Sequence, residues 1–261
     1  MNIHTHQQIA NHALKTVNEA SATAMSYFRQ LLEVETKGDE SPVTVADKTV
    51  EAQIRESLSK AYPGFGILGE EFGSENLDAE TFWVVDPIDG TRSFISGLPL
   101  FGILLGLIDK GKPVLGIVGM PALNEVYIGQ VGIGARMNGE PIETSTQTDL
   151  DAATLFINET ETMVSQYPVV FAKLLKTGKT RQMSYDCYPH ALVAAGHIDA
   201  VVDCNLQPYD YLPIVALIEA AGGLMTDWQG NPLNMHSDGR VLTAATPELL
   251  EQLIKIVGVA E

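Results

Sequence analysis

The sequence predicts a layered α/β protein, and three observations lead there. Two amphipathic helical segments come first, a series of short β-type runs broken by turn residues follows, and strands and helices alternate from about Glu143 onward. A chain of 261 residues makes one or two domains and can bury a sizeable core. The change in element pattern puts a boundary near Pro141 to Thr148, between an α+β half, 1–142, and an α/β half, 143–261.

The elements follow from spacing. Ile9, Ala13, Val17, Ala20, Ala24 and Phe28 recur at intervals of three and four, which predicts a long helix from about Ile3 to Val34. Gly38 to Pro42 interrupt it. Val50, Ile54 and Leu58 share one face of a second helix, Ala46 to Ala61, which Tyr62-Pro63-Gly64 ends. The period then changes to that of strands at Phe65–Leu68, Phe82–Val85, Phe101–Ile108, Val114–Gly119 and Glu125–Gly129, with Asp109-Lys110-Gly111-Lys112 as a hairpin connection. Gly132, Gly134 and Gly139 lack dinucleotide-loop spacing and read as a loop closing a hairpin. In the second half, strands are expected at Ala153–Asn158, Ile198–Val202 and Leu224–Asp227. Helices are expected at Tyr188–Ala195 and Tyr211–Ala221, the latter stopped by Gly222-Gly223.

Composition narrows the function. Apolar residues are 45% and charged residues 19%, which is not a disordered composition. The formal charge of −17 argues against a nucleic-acid partner and against an anionic membrane surface. Such a protein binds an anion only where metals or directed N–H groups supply positive potential. Cys187 and Cys204 read as buried, reduced thiols rather than a disulfide framework. The polar start, Met1 to Lys15, carries no apolar targeting segment, and the most apolar run, Leu98 to Ile108, is too short to span a bilayer. A cytoplasmic protein is the expectation.

The most informative segment is Phe82 to Thr91. An apolar strand runs into Asp86; Pro87, unable to donate to a ladder, should stop it there; Asp89 follows at the turn; Gly90-Thr91 can present consecutive N–H groups to an anion. Glu70 ends another short apolar strand, and Asp210 stands at the expected N-cap of the Tyr211 helix, with Pro213 in its first turn. Each alone suits a plain turn or cap. If Glu70, Asp86, Asp89 and Asp210 converge, two carboxylates ~4 Å apart repel by ~4 kcal/mol at an effective dielectric of ~20. Hard divalent cations, Mg²⁺ above all where phosphate completes the shell, are the natural remedy.

Gly69-Glu70-Glu71, then Asp86-Pro87-Ile88-Asp89-Gly90-Thr91, then Tyr209-Asp210 before an apolar helix and Gly222-Gly223, resemble the inositol monophosphatase superfamily over nearly the whole chain. Within it, Thr91-Arg92-Ser93, Asp186-Cys187-Tyr188 and Pro208-Tyr209-Asp210 are similar to the histidinol-phosphate phosphatase branch. The resemblance implies an αβαβα sandwich of the inositol monophosphatase and fructose-1,6-bisphosphatase type, a homodimer, and two or three Mg²⁺ per active site. It assigns Glu70, Asp86, the Ile88 carbonyl, Asp89 and Asp210 to metal, and Asp47 and Thr91 to the attacking water, with Glu70 beside them. It gives Gly90 and Thr91 to the phosphate, and Arg92, Asp186 and Asp203 to the substrate pocket. Asp203 stands where the family commonly has Glu. Asp186 stands where the inositol enzymes tend to have a small residue, and its carboxylate would suit the ammonium of histidinol phosphate.

Other features read as ordinary. His4, His6 and His12 lie on a polar helix and read as surface residues. His190 and His197 flank a helix, with His190 the better pocket candidate. Ser184, Asp186 and His190 lack the G-x-S-x-G turn of a serine hydrolase. Arg92 suits a substrate or subunit contact and a salt bridge equally. The leading expectation is Mg²⁺-dependent hydrolysis of histidinol phosphate. The alternatives are an inositol-1-phosphate or broad sugar-phosphate phosphatase and a catalytically silent metal-binding homologue, against which the intact acidic set argues.

Overall fold

The computed structural model describes residues 3–31, 34–36 and 42–258; the predicted break over Gly38 to Ser41 lies outside them. Five layers stack in the order helix, sheet, helix, sheet, helix. Helices α1 (Ile3–Tyr27) and α2 (Val45–Ala61) form the first. They cover one face of an eight-stranded sheet of order β10-β9-β8-β7-β6-β5-β3-β4. Its strands are β3 (Gly66–Gly69), β4 (Gly73–Glu75), β5 (Thr81–Asp89), β6 (Gly102–Asp109), β7 (Lys112–Met120), β8 (Glu125–Gln130), β9 (Gly134–Met137) and β10 (Glu140–Ile142). Pairing is antiparallel throughout except for β3 on β5. The pleat sends Trp83 and Val85 toward α1 and α2, and Val84 to the opposite face.

That opposite face carries α6 (Tyr188–Ala194) and α7 (Pro208–Ala220). Beyond them lies a five-stranded sheet of order β12-β11-β13-β15-β14, built from β11 (Thr154–Ile157), β12 (Thr180–Met183), β13 (Ala200–Asp203), β14 (Leu224–Asp227) and β15 (Val241–Ala244). Helices α4 (Thr160–Gln166), α5 (Pro168–Leu174) and α8 (Pro247–Val257) close the far side, and α3 (Thr91–Ile95) follows β5. One apolar core joins both sheets: Val84, Leu104 and Val118 of the first belong with Leu155, Val201 and Leu242 of the second.

Helix α7 is apolar all round, as a helix between two sheets must be. Its seat is a row of glycines. Gly106, Gly116 and Gly129 lie opposite one another on β6, β7 and β8. A Cβ at Gly116 would stand 1.8 Å from the Pro213 carbonyl oxygen, and one at Gly129 would stand 2.5 Å from Leu217 Cα. The helix therefore rests directly on sheet backbone.

Four expectations change. Helix α1 stops at Tyr27, not Val34: Arg29 turns left-handed at φ 60° and its guanidinium reaches the Gly97 carbonyl at 2.9 Å. Val34–Thr36 instead forms β1, paired with β2 (Pro42–Thr44). Strand β5 does not stop at Pro87. It continues to Asp89 through a bulge in which Asp86 faces Leu104 and Asp89 faces Gly102, so the proline needs no ladder bond. Helix α7 begins at Pro208 with Gln207 as N-cap, which moves Asp210 to the third helical position and Pro213 beyond the first turn. The hairpin at Asp109–Lys112 forms as expected, with Lys110 and Gly111 both at positive φ. His12 is half-buried, 3.2 Å from Ser57 Oγ and edge-on to Tyr62, rather than a surface residue; the His4 side chain lies outside the described residues.

Candidate active site

The predicted carboxylates meet at one end of the eight-stranded sheet, where α7 comes down from the next layer. Parallel pairing of β3 and β5 sets Gly69 opposite Val85, and the Glu70 N–H reaches the Val85 carbonyl at 3.2 Å, so Glu70 and Asp86 leave the sheet side by side. The bulge brings Asp89 to the same edge. The first turn of α7 delivers Asp210, whose Oδ2 accepts the Gln207 N–H at 2.7 Å. One carboxylate oxygen from each of Asp86, Asp89 and Asp210 lies within 4.8 Å of the others.

Electrostatics follow from that crowding. Burial raises the Asp86 carboxyl well above the ordinary aspartate range, and the charges of Glu70, Asp89 and Asp210 raise it further. Burial and then Asp210 push Asp89 up to about 7, although the Cys187 N–H, 2.5 Å away, opposes the shift. Asp210 is pushed up to about 8, chiefly by burial, with Glu70 adding to it. Three oxygen-donor side chains that resist ionisation in one small space fit a hard divalent cation, which would favour ionisation of all three.

Beside them stands a hydroxyl held between two acceptors. Asp47, fully buried, is the third residue of α2; its Oδ2 accepts the Thr44 N–H at 2.8 Å and the Thr44 hydroxyl at 2.6 Å, in a reciprocal cap. Asp47 Oδ1 lies 3.2 Å from Thr91 Oγ, which is also 3.2 Å from the Ile88 carbonyl. The single Thr91 proton thus points toward Asp47 and Ile88, leaving its lone pairs for another donor.

A cavity of about 400 Å³ opens from this edge. Glu70, Asp89, Gly90, Thr91 and Asp210 line it, and so do Glu159, Asp186 and Asp203, with Asp186 directly beside Gly90. Gly90, at φ 86°, starts α3. A Cβ there would fall 2.6 Å from Asp186 Oδ2, which accepts the Ser93 hydroxyl at 2.8 Å. Burial, then the Asp89 charge, push the Asp186 carboxyl up to about 8. Asp203 sits at the cavity floor, 1% exposed. Arg92 is the one base among the described lining residues; it lies at the rim, 3.7 Å from the exposed Glu161. His190 is not among the residues lining the cavity, and its ring nitrogens meet Asp203 and Thr243 rather than Ser184 or Asp186.

The profile of the inositol monophosphatase family matches residues 5–260. The chain belongs to that family. It is 36% identical over 253 residues to a histidinol-phosphatase of Chlorobaculum parvum, covering 95% of this chain and 96% of that one. It is 39% identical over 206 residues to the bifunctional phosphatase IMPL2, chloroplastic, of Arabidopsis thaliana, covering 78% of this chain but spanning only 60% of the plant protein. Among solved structures, an inositol monophosphatase from Zymomonas mobilis superposes with a TM-score of 0.87 at 36% identity, over 97% of this chain and 98% of that one.

Two acidic residues of this family member escape sequence reasoning. Glu51, buried on α2, accepts the Glu71 N–H at 2.7 Å and the Phe72 N–H at 3.2 Å, and pairs with Arg55 Nε at 2.7 Å. It thereby clamps the turn that carries Glu70. Glu159, left-handed at φ 46°, brings a half-buried carboxyl to the cavity wall, raised by burial and by Asp203. A non-glycine residue held at positive φ beside a cavity was the available clue, and it is a clue only the backbone gives.

Proposed function

We propose that this chain is a Mg²⁺-dependent phosphomonoesterase that hydrolyses histidinol phosphate to histidinol and phosphate. The observation that carries the substrate is the charge of the cavity: it is lined by carboxyls beyond those that suit metal. Those of Asp86, Asp89 and Asp210, joined by Glu70, suit metal and through it phosphate. Asp186, Glu159 and Asp203, which line the same cavity, suit a cation elsewhere on the same molecule. Histidinol phosphate carries an anion and an ammonium; inositol phosphate carries no cation. The 36% identity to a histidinol-phosphatase supports the same reading.

Glu70, Asp86, the Ile88 carbonyl, Asp89 and Asp210 would hold two or three Mg²⁺, which when bound lower the pKa of water and neutralise charge on phosphoryl oxygens. Glu70 and the Thr91 hydroxyl orient the attacking water, and Asp47 fixes Thr91. The N–H groups of Gly90 and Thr91 hold the phosphate, with Arg92 at the rim. Water attacks phosphorus in line and gives up one proton to solvent, the ester P–O bond breaks, and the departing alkoxide takes a proton from solvent, so no enzyme-bound ester forms. The reading includes a homodimer in a reducing, cytoplasmic setting, which the two free, buried thiols suit.

Asp186→Ala tests it. KM for histidinol phosphate should rise about tenfold or more, while KM for inositol-1-phosphate stays within about twofold. An unchanged KM for histidinol phosphate would sink the assignment of Asp186. A second reading, inositol-1-phosphate or a broader range of sugar phosphates, is favoured by the 36% identity to the Zymomonas mobilis inositol monophosphatase.

A further inference from the structure

His190 is 1% exposed and stands one residue back from the cavity. Its Nε2 lies 3.0 Å from Asp203 Oδ2 and its Nδ1 lies 2.8 Å from the hydroxyl of Thr243, which is fully buried on β15. A carboxylate only accepts, so Nε2 carries the hydrogen and donates it. Asp203 Oδ2 also accepts Asn158 Nδ2 at 2.7 Å, and Oδ1 accepts the Cys204 N–H at 2.8 Å. A carboxylate has about four acceptor positions. Protein donors fill three, and the remaining one belongs to a group that lines the cavity floor.

We propose that His190 is a positioning residue: it holds the Asp203 carboxylate in the one orientation that offers its last acceptor position to a hydrogen-bond donor on the alcohol portion of the substrate. This rests on reading the cavity as the phosphomonoester site. The shorter side chain at position 203 cannot reach out and adapt, so its direction must be built in. Donors from three elements build it: Asn158 after β11, Cys204 after β13 and His190 on α6. The same helix follows directly on Asp186, and the N–H at its cap, Cys187, holds Asp89. Loss of the His190 donor would leave Asp203 Oδ2 held by Asn158 alone and the Thr243 hydroxyl unpaired. It would leave the carboxylates of Asp86, Asp89 and Asp210 untouched.

The test compares His190→Leu, His190→Gln and Thr243→Val on histidinol phosphate, inositol-1-phosphate and p-nitrophenyl phosphate, whose aryl group offers no donor. For whichever of the first two the wild type hydrolyses, His190→Leu should raise KM about tenfold with kcat and the Mg²⁺ requirement within about twofold. KM for p-nitrophenyl phosphate should not move. Glutamine can donate to Asp203 and accept from Thr243, so His190→Gln should stay within about threefold of wild type. Thr243→Val should shift KM in the same direction by less, and carries the contrast if the leucine variant fails to fold. The proposal is overturned if His190→Leu leaves every KM unchanged, raises all alike or lowers kcat alone, or if glutamine is as damaging as leucine. Wild-type protein that releases phosphate from none of the three refutes the phosphatase reading itself; wild-type turnover with unaltered variants refutes only the role of His190.

Discussion

At the scale of single residues, the site is an arrangement of groups that cost stability where they stand. Asp86, buried, and Asp89 and Asp210, half-buried, crowd one another without a paired base, which favours their neutral forms. Replacing Asp210 by Asn should therefore raise the melting temperature of the metal-free protein and abolish the rise that saturating Mg²⁺ gives the wild type. A ligand at a hundred times its Kd adds about 2.7 kcal/mol. Differential scanning fluorimetry with EDTA or Mg²⁺ reads both effects; a variant that still gains stability from Mg²⁺ would remove Asp210 from the metal set. Glu70→Gln keeps the shape and loses the carboxylate, so phosphate release should fall by about a hundredfold or more with an unchanged melting curve. Glu70, Asp86 and Asp89 were legible because apolar strands run straight into them. Asp210 was legible one turn out of place, since Pro208 at the start of α7 looks like a loop residue. Glu51, Glu159 and the His190–Asp203 pair were not, because each acts through a partner distant in the chain and leaves no local pattern.

At the scale of elements, α7 is the piece that joins the two halves of the site, and the glycine row on β6, β7 and β8 decides how low it sits. Gly116→Ala puts a methyl group against the Pro213 carbonyl, so the helix must lift. Overpacking of this kind costs about 1–3 kcal/mol. The expected outcome is a lower urea midpoint together with weaker Mg²⁺ activation, because Asp210 moves with the helix. Gly111→Ala, at a turn with open space around it, should lose stability without altering the Mg²⁺ requirement. Equal Mg²⁺ activation in Gly116→Ala and wild type would show that α7 does not set the metal site. The long helices and central strands were readable from periodicity. The β1–β2 pair was not, since three-residue strands hold too few positions to show a period. Strand β5 was shortened in the sequence reading because Pro87 normally ends a ladder; the bulge is the tertiary solution that single-strand rules do not contain.

At the scale of the whole molecule, the charge of −17 is unevenly placed. Two bound Mg²⁺ would bring it to about −13 and three to about −11, all of the change falling at the cavity. The division at 142/143 is proposed as one of labour: the first part supplies Glu70, Asp86 and Asp89, the second Asp210 and the pocket wall, over a shared core. Among the described residues no helix is long and apolar enough to cross a membrane. Proton binding gives a global signature. Asp89 at about 7, and Asp186 and Asp210 at about 8, hold protons more tightly in the metal-free fold than in the unfolded chain, where aspartates titrate near 4. Their contribution to metal-free stability is complete below about pH 4 and drains as pH rises through about 8. Mg²⁺ must displace the protons on Asp89 and Asp210, so its stabilising effect should grow between pH 6 and pH 8. A Mg²⁺-induced melting shift that is flat across this range would contradict the acidic-cluster account.

The central claim is that one cavity holds metal-binding carboxylates for the phosphate and further acidic groups that select a cation on the same substrate. Phosphate release from histidinol phosphate and inositol-1-phosphate, with fructose-1,6-bisphosphate and 3′-phosphoadenosine 5′-phosphate alongside, each with Mg²⁺ and with EDTA, tests it most directly. The predicted result is turnover only with Mg²⁺ and a kcat/KM for histidinol phosphate at least about tenfold above the rest. Equal rates on histidinol phosphate and inositol-1-phosphate, or release that survives EDTA, would contradict it.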